Sequence, residues 1–140
     1  MDLKSGTALT VSHLVGTAQR FNISHKLILT APEPDLLEFC RSLTPDIGTC
    51  LLVRQFVESD LMGLFGSPYI DMFQLSANWL SAAIVESAHG RRKLLCAWSV
   101  NSRSALAPVI NWHLDAVVTN YPALIRNELE GMLLSAREVT

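Results

Sequence analysis

The sequence predicts an α/β protein in which short parallel strands alternate with helices. Short, continuously apolar runs recur along the 140 residues, and longer runs with apolar residues at helical spacing separate them. Repeated strand-then-helix units imply parallel pairing, because parallel strands need a crossover connection and the crossover is usually a helix. The strand candidates lack polar alternation, which is typical of strands buried on both faces of a sheet.

Six apolar runs are the candidate strands. They cover residues 1–4, 26–31, 48–54, 72–76, 94–100 and 116–119. Their spacing leaves room for a helix between each pair, so we expect about five to six parallel strands in a single domain that spans 1–140.

Helical patterns fill the segments between the strands. Apolar residues recur at helical spacing over residues 11–21, 36–43, 80–88 and 124–132. Pro34 and Asp35 are typical of a first helical turn, Ser102 of an N-cap, and Pro122 of the first helical position. Gly90 is expected to end the helix before it.

Composition limits the classes of function. The formal net charge is −2, and the largest cluster of basic residues is Arg91-Arg92-Lys93, so we expect no nucleic-acid partner. No run reaches the roughly 18 apolar residues of a membrane span, so no transmembrane segment is expected. Cys40, Cys50 and Cys96 form no CxxC pair and lie in apolar runs, which predicts reduced thiols packed as small hydrophobic side chains.

Two architectures are built from such units: an open doubly wound sheet and a closed (β/α)8 barrel. A doubly wound sheet that binds a nucleotide usually carries GxGxxG after an early strand, and this chain has none. The predicted strands instead run into polar residues at their carboxyl ends, as barrel strands do where an active site lies. We therefore predict a (β/α)8 barrel, of TIM-barrel type.

Two motifs near the end of the chain resemble a known enzyme family. Trp98-Ser99-Val100-Asn101, followed by a helix and by Leu114-Asp115-Ala116-Val117-Val118-Thr119-Asn120-Tyr121-Pro122, resembles the end of the glycerophosphodiester phosphodiesterase barrel. Asp2-Leu3-Lys4 is similar to that family's E-x-K strand. Residues 34–39 are similar to one of its helix starts.

The resemblance implies a partial (β/α)8 barrel, roughly the second half, beginning at the fourth strand. A complete barrel needs about 250 residues. The family hydrolyses glycerophosphodiesters to glycerol 3-phosphate and an alcohol, in lipid metabolism, with Mg2+ or Ca2+ as cofactor. Its catalytic histidine pair and most metal carboxylates belong to strands that this chain does not match, so we expect a phosphoric diester hydrolase fold that is inactive alone.

The resemblance also assigns roles to individual residues. Asp2 stands where the family has a metal-ligand Glu, and Lys4 where it has a strand-end Lys that could face a phosphate. Trp98 either contacts the substrate's carbon skeleton or fills the core, and Asn101 either caps the next helix or lies at the rim. Asn120 replaces the family's Asp. No catalytic residue is assigned, because none of the four histidines is predicted at the carboxyl end of a strand.

A non-catalytic half-barrel is the alternative function. An incomplete barrel leaves edge strands unpaired, here at residues 1–4 and 116–119, and unpaired edges favour association. The alternative therefore predicts an interaction or self-assembling module, with self-association through the open strand edges.

Overall fold

A computed structural model of the chain describes residues 1–3 and 6–138. The described part contains six helices and five strands, with short 3-10 turns at Ser24–Lys26 and Ala77–Trp79. In chain order these elements are α1 (Ala8–Arg20), β1 (Ile28–Ala31), α2 (Pro34–Leu43), β2 (Gly48–Leu52), α3 (Glu58–Leu64), β3 (Met72–Ser76), α4 (Ala82–Gly90), β4 (Leu94–Trp98), α5 (Arg103–Asn111), β5 (Ala116–Val117) and α6 (Pro122–Glu138).

The five strands form one parallel sheet in the order β1-β2-β3-β4-β5. Each strand therefore pairs with the next one along the chain, and the order never reverses as it does in a doubly wound sheet. A sheet that adds strands at the same edge throughout is an arc of a (β/α)8 barrel. The predicted fold class, a partial barrel with five to six parallel strands, is confirmed.

One face of the sheet is covered by helices and forms the core. Helix α2 packs against β1 and β2, and α4 packs against β4. Eight strand residues on this face are between 0% and 3% exposed, and Val117 of β5 is partly buried; the eight are Leu29, Ala31, Thr49, Leu51, Phe73, Leu75, Leu95 and Ala97. We call this the helix face.

The other face, which would line the lumen of a complete barrel, is only partly covered. By strand alternation and register it carries Asp2, Ile28, Thr30, Gly48, Cys50, Leu52, Met72, Gln74, Ser76, Leu94, Cys96, Trp98 and Ala116. We call this the inner face. Ile28 and Leu94, at the amino ends of β1 and β4, are 45% and 44% exposed. The expectation of strands buried on both faces therefore holds in the middle of β2 and β4, where Cys50 and Cys96 are 2% and 6% exposed, and fails at the amino ends of β1 and β4.

The strand boundaries differ from prediction mainly at their ends. The strand at 72–76 has the predicted bounds, whereas those predicted at 26–31, 48–54, 94–100 and 116–119 are shorter. The predicted strand 1–4 is represented by one parallel bridge between Asp2 and Thr30, and Lys4 lies outside the described residues. At the opposite edge, β5 pairs only through Ala116 and Val117.

The predicted helix signals are observed. Ser102 caps α5, because its hydroxyl accepts a hydrogen bond from the Ala105 N–H at 3.3 Å. Helices α2 and α6 begin at Pro34 and Pro122, and α4 ends at Gly90. Helix α3 was not predicted; it is seven residues long, and Val57 at its N-cap makes no side-chain capping bond.

Two aspartates join successive strands at the amino edge of the sheet. Asp71, just before β3, accepts a hydrogen bond from the Thr49 N–H of β2 at 2.9 Å and pairs with Arg41 of α2. Asp115, just before β5, accepts from the Leu95 N–H of β4 at 2.8 Å and contacts His89 of α4 at 2.9 Å. The same arrangement thus occurs twice: an aspartate accepts a backbone N–H from one strand and contacts an arginine or a histidine from the last turn of a helix.

The cysteines agree with the sequence prediction. Cys40, Cys50 and Cys96 are free and buried. In the part of the chain that the structure describes, no helix combines the length and apolar character needed to cross a membrane.

Candidate functional site

The carboxyl ends of the parallel strands meet at one edge of the sheet, and this edge is the candidate site. Strand ends of this kind hold the functional residues of barrel enzymes. Here Ser76 and Trp98 are paired at the ends of β3 and β4, and the segment 118–121 follows β5 beside them. We call this edge the rim.

Asn101 ties the ends of β4 and β5 together at the rim. Its side-chain oxygen Oδ1 accepts hydrogen bonds from Thr119 Oγ1 at 3.1 Å and from the Asn120 N–H at 2.9 Å. Thr119 Oγ1 in turn accepts from the Tyr121 N–H at 3.0 Å. Because Ser102 occupies the N-cap of α5, the rim role predicted for Asn101 is the one observed, and the capping role is not.

Trp98 belongs to an aromatic cluster that spans three strand ends. Its ring meets that of Trp79 edge-on, with centroids 6.1 Å apart, and Trp79 stacks on Phe56 at 5.6 Å. The indole Nε1–H of Trp98 is buried and has no hydrogen-bond partner among residues 1–3 and 6–138. Trp98 is thus half-buried, with both packing contacts and an unused donor.

Sequence reasoning missed the aromatic partners of Trp98 as part of the site. Phe56 and Trp79 follow the ends of β2 and β3 by a few residues, and only the parallel register brings them beside Trp98. The sequence signal was the recurrence of a large aromatic residue at or just after three consecutive strands.

Asp2 lies at the other side of the sheet from Trp98. It is exposed and bridges to Thr30 of β1, so four strand positions separate it from β4. That separation is roughly 19 Å along a flat sheet. The structure therefore does not bring the predicted metal ligand into contact with the predicted substrate-binding tryptophan, and Lys4 lies outside the described residues.

The described residues do not make up a metal site. No group of three or more His, Cys, Asp or Glu side chains in 1–3 and 6–138 is placed to hold a metal ion. Mg2+ and Ca2+ need several oxygen ligands, and the Asp2 side chain has a single carboxylate. The residues described thus do not fit a complete Mg2+ or Ca2+ centre by themselves.

The four histidines all lie away from the rim. His13 is within α1 and His25 is in the 3-10 turn before β1. His89 is in the last turn of α4, and His113 follows α5, ahead of β5. His89 contacts Asp115 at the amino edge, where it supports the strand pairing rather than the rim.

The two buried thiols of the inner face are poor nucleophiles. Burial raises the pKa of Cys50 to about 12, partly offset by a hydrogen bond from Thr30, and burial raises the pKa of Cys96 to about 11. Since the thiolate is the reactive form, neither thiol is activated near neutral pH.

A cleft of about 580 Å3 opens beside the carboxyl end of β2. Arg54 and Gln55, which follow β2, line it together with Glu33 and Asp60. Neither Asp2 nor Trp98 is among its described lining residues. The cleft is therefore separate from the residues predicted to bind metal and substrate.

Sequence comparisons and structural comparisons differ in outcome. No protein-family model matches the sequence, and no curated protein matches it. Solved structures do match, over nearly the whole chain. One is a protein assigned as a glycerophosphoryl diester phosphodiesterase from Silicibacter pomeroyi, with a TM-score of 0.79 and 20% identity, covering 89% of this chain and 45% of that one.

Two further structures give the same result. A glycerophosphodiester phosphodiesterase from Parabacteroides distasonis has a TM-score of 0.79 at 14% identity, covering 94% of this chain and 57% of that one. A phosphodiesterase from Oleispira antarctica, solved with its product sn-glycerol-3-phosphate, has a TM-score of 0.72 at 17% identity, covering 88% and 50%.

The chain folds like part of a glycerophosphodiester phosphodiesterase. It spans about half the length of the solved structures that it matches. The resemblance seen in the WSVN and DAVVTNYP motifs is therefore confirmed at the level of the fold.

Proposed function

We propose that this chain is one part of a glycerophosphodiester phosphodiesterase and contributes rim residues that contact the substrate. The observation that carries the proposal is the match of about 90% of the chain to half of such structures, one of them bound to sn-glycerol-3-phosphate. The polar and aromatic rim built by Trp98, Asn101 and Thr119 lies at the edge where barrels bind their ligands.

The rim residues have distinct roles in this proposal. Trp98 packs against the glycerol carbons through its indole ring, while its Nε1–H stays buried. Lys4, which lies outside the described residues, is proposed to bind the phosphate. Asp2 supplies one ligand to a Mg2+ or Ca2+ ion whose other ligands come from outside the described residues.

The chain alone is proposed to be inactive. Hydrolysis breaks the phosphorus–oxygen bond to the alcohol and forms glycerol 3-phosphate, which requires a base for the attacking water, an acid for the leaving oxygen and neutralisation of phosphoryl charge. All four histidines lie away from the rim, and no described carboxylate cluster replaces them. Substrate contact and catalysis are therefore separable in this protein.

A titration of the pure chain with sn-glycerol 3-phosphate, followed by amide chemical shifts, tests the binding role. We expect shifts centred on residues 98–101 and 118–121, and a Trp98→Ala variant that weakens them. Trp112, which is also partly buried but packs on the core, provides the matched Trp112→Ala control. Shifts confined to other regions, or none at saturating ligand, contradict the binding role.

The same pure chain serves to test the proposal that it is inactive alone. With glycerophosphocholine and either Mg2+ or Ca2+, we expect no metal-dependent release of sn-glycerol 3-phosphate. Metal-dependent turnover by the isolated chain would show that its own residues complete the catalytic site.

A further inference from the structure

The side-chain oxygen of Asn101 is fully occupied by the protein itself. Oδ1 accepts hydrogen bonds from Thr119 Oγ1 at 3.1 Å and from the Asn120 N–H at 2.9 Å. An amide oxygen has two lone pairs, and these two hydrogen bonds use both of them. Towards a ligand, Asn101 can therefore act only as a donor, through its Nδ2 group.

The orientation of the Asn101 amide is set by its partners. A backbone N–H can only donate, so the amide atom that faces the Asn120 N–H is the oxygen and not the nitrogen. Since Oδ1 can only accept, the Thr119 hydroxyl gives its proton to Oδ1 and accepts in turn from the Tyr121 N–H at 3.0 Å. The Nδ2 group thus lies at the end of the amide that these partners leave free.

The Nδ2 group of Asn101 has unused capacity. It carries two N–H donors, and it makes no hydrogen bond to another residue within 1–3 and 6–138. Asn101 is partly exposed, so a ligand at the rim can reach it. The two hydrogen bonds accepted at Oδ1 polarise the amide, which strengthens its N–H groups as donors.

The two rim segments around Asn101 favour an anionic ligand over a cationic one. Residues 98–104 and 116–127 contain no Asp or Glu, and their charged residues are Arg103 and Arg126. The oxygens of a phosphate dianion are acceptors, so they match a side chain that can only donate. An ammonium group would instead need the acceptor that Asn101 has already used.

We propose that Asn101 is a phosphate-binding residue whose Nδ2 group donates hydrogen bonds to phosphate oxygens of a ligand at the rim. Thr119 is the positioning residue, because its hydroxyl holds the amide. The inference rests on the proposed function and names one of its contacts. A phosphate has several oxygens, and barrel sites draw on the ends of several strands, so this contact adds to the one proposed for Lys4.

Nitrogen–proton correlation spectra of the pure chain test the contact directly. The side-chain NH2 signals of Asn101 are identified by their absence from the spectrum of an Asn101→Asp variant. On titration with inorganic phosphate or with sn-glycerol 3-phosphate, we expect these signals to shift, whereas glycerol alone should leave them in place. Signals that shift with glycerol and not with phosphate would overturn the proposal.

Asn101→Asp is the sharpest variant for affinity. It keeps the size of the side chain and an oxygen for Thr119 and Asn120, but it has no N–H donor. We expect sn-glycerol 3-phosphate to bind about tenfold or more weakly, with the midpoint of urea unfolding unchanged. Asn120→Asp is the control for charge, because it adds a carboxylate on the neighbouring exposed residue and removes no donor of Asn101. It should weaken binding by less than about threefold, since exposed charges are screened.

Thr119→Val tests the positioning role and serves as a second variant if Asn101→Asp folds poorly. It keeps the shape of the side chain and removes the hydroxyl that holds Oδ1, while the Asn101 donors remain. We expect the NH2 signals of Asn101 to move without ligand and the affinity to lie between those of the original chain and Asn101→Asp. An affinity equal to that of the original chain would exclude the positioning role.

The outcomes separate this contact from the proposed function. Binding at residues 98–101 that Asn101→Asp leaves unchanged would overturn the role of Asn101 while the rim stays the binding site. Equal weakening by Asn101→Asp and Asn120→Asp would show that added charge is the cause, and would also overturn it. No shift at the rim with either phosphate ligand would overturn both this contact and the proposed binding role.

Discussion

Cys50 and Cys96 show how the environment of single residues makes the fold sensitive to alkaline pH. Burial raises the pKa of both thiols from 9.0, to about 12 for Cys50 and about 11 for Cys96. The unfolded chain therefore loses these protons at lower pH than the folded chain. Their contribution to stability is complete below about pH 9 and is lost as the pH rises towards the folded values.

We predict that the free energy of unfolding falls as the pH rises from about 8 to about 10.5, by up to about 1.4 kcal/mol per pH unit for each thiol. A Cys50→Ala, Cys96→Ala double variant should show a shallower fall. Urea unfolding at each pH measures the free energy of unfolding of the original chain and of the double variant. Burial lowers the pKa of Lys93, which acts in the opposite direction, but Lys93 is present in both proteins and cancels in the difference. If the free energy of unfolding falls equally steeply with pH in the original chain and in the double variant, the two thiols are not the cause of the fall.

Single residues also show the limits of the sequence prediction. Trp98 and Asn101 were predicted correctly at the rim because they end an apolar run in a recognisable motif. The contact of Asn101 with Thr119 and Asn120 was not predictable, since it depends on how β5 is placed beside β4. The aromatic partners of Trp98 come from separate loops, and their meeting is set by sheet register rather than by local sequence.

At the scale of elements, the paired aspartates at the amino edge hold strands in register. Each carboxylate accepts a backbone N–H from the preceding strand and contacts a basic or histidine side chain from a helix end. Hydrogen bonds to charged groups contribute more than neutral ones, and Thr49 is fully buried, so its N–H would lack a partner without Asp71.

We predict that Asp71→Ala and Asp115→Ala each lower the free energy of unfolding by about 2 kcal/mol. Glu128→Ala is the control, because its partner Arg103 is 65% exposed and the pair spans two surface helices. Its loss should cost less than about 1 kcal/mol. Urea unfolding followed by circular dichroism compares the three. A Glu128→Ala variant as destabilised as the aspartate variants would show that strand registration is not what the aspartates supply.

Element boundaries were predictable where local signals were strong. β3 has its predicted bounds, and the helices begin and end at Pro34, Gly90 and Pro122 as predicted. The ends of β4 and β5 were overestimated, because apolar residues continue past the point where a neighbouring strand can pair. Helix α3 was missed because it is short and lacks a side-chain cap.

At the scale of the whole molecule, the chain is an arc of a barrel whose inner face is only partly covered. The apolar strand sequences predict burial on both faces, and the described residues bury Cys50 and Cys96 on the inner face but leave Ile28 and Leu94 more than two fifths exposed. The sequence therefore encodes side chains for an interior that this sheet does not enclose by itself. The fold was predictable because each strand carries its own local signal. The candidate site was not, because the described histidines lie away from the rim and no described carboxylate group is placed to hold a metal ion.

Nuclear Overhauser contacts between backbone protons of the isolated chain test the open barrel most directly. We predict contacts linking β1 to β2, β2 to β3, β3 to β4 and β4 to β5, with Asp2 beside Thr30. No contact should join β5 to Asp2 or to β1. Contacts between β5 and residues 1–3 would mean that the chain closes its own barrel, and would contradict the account.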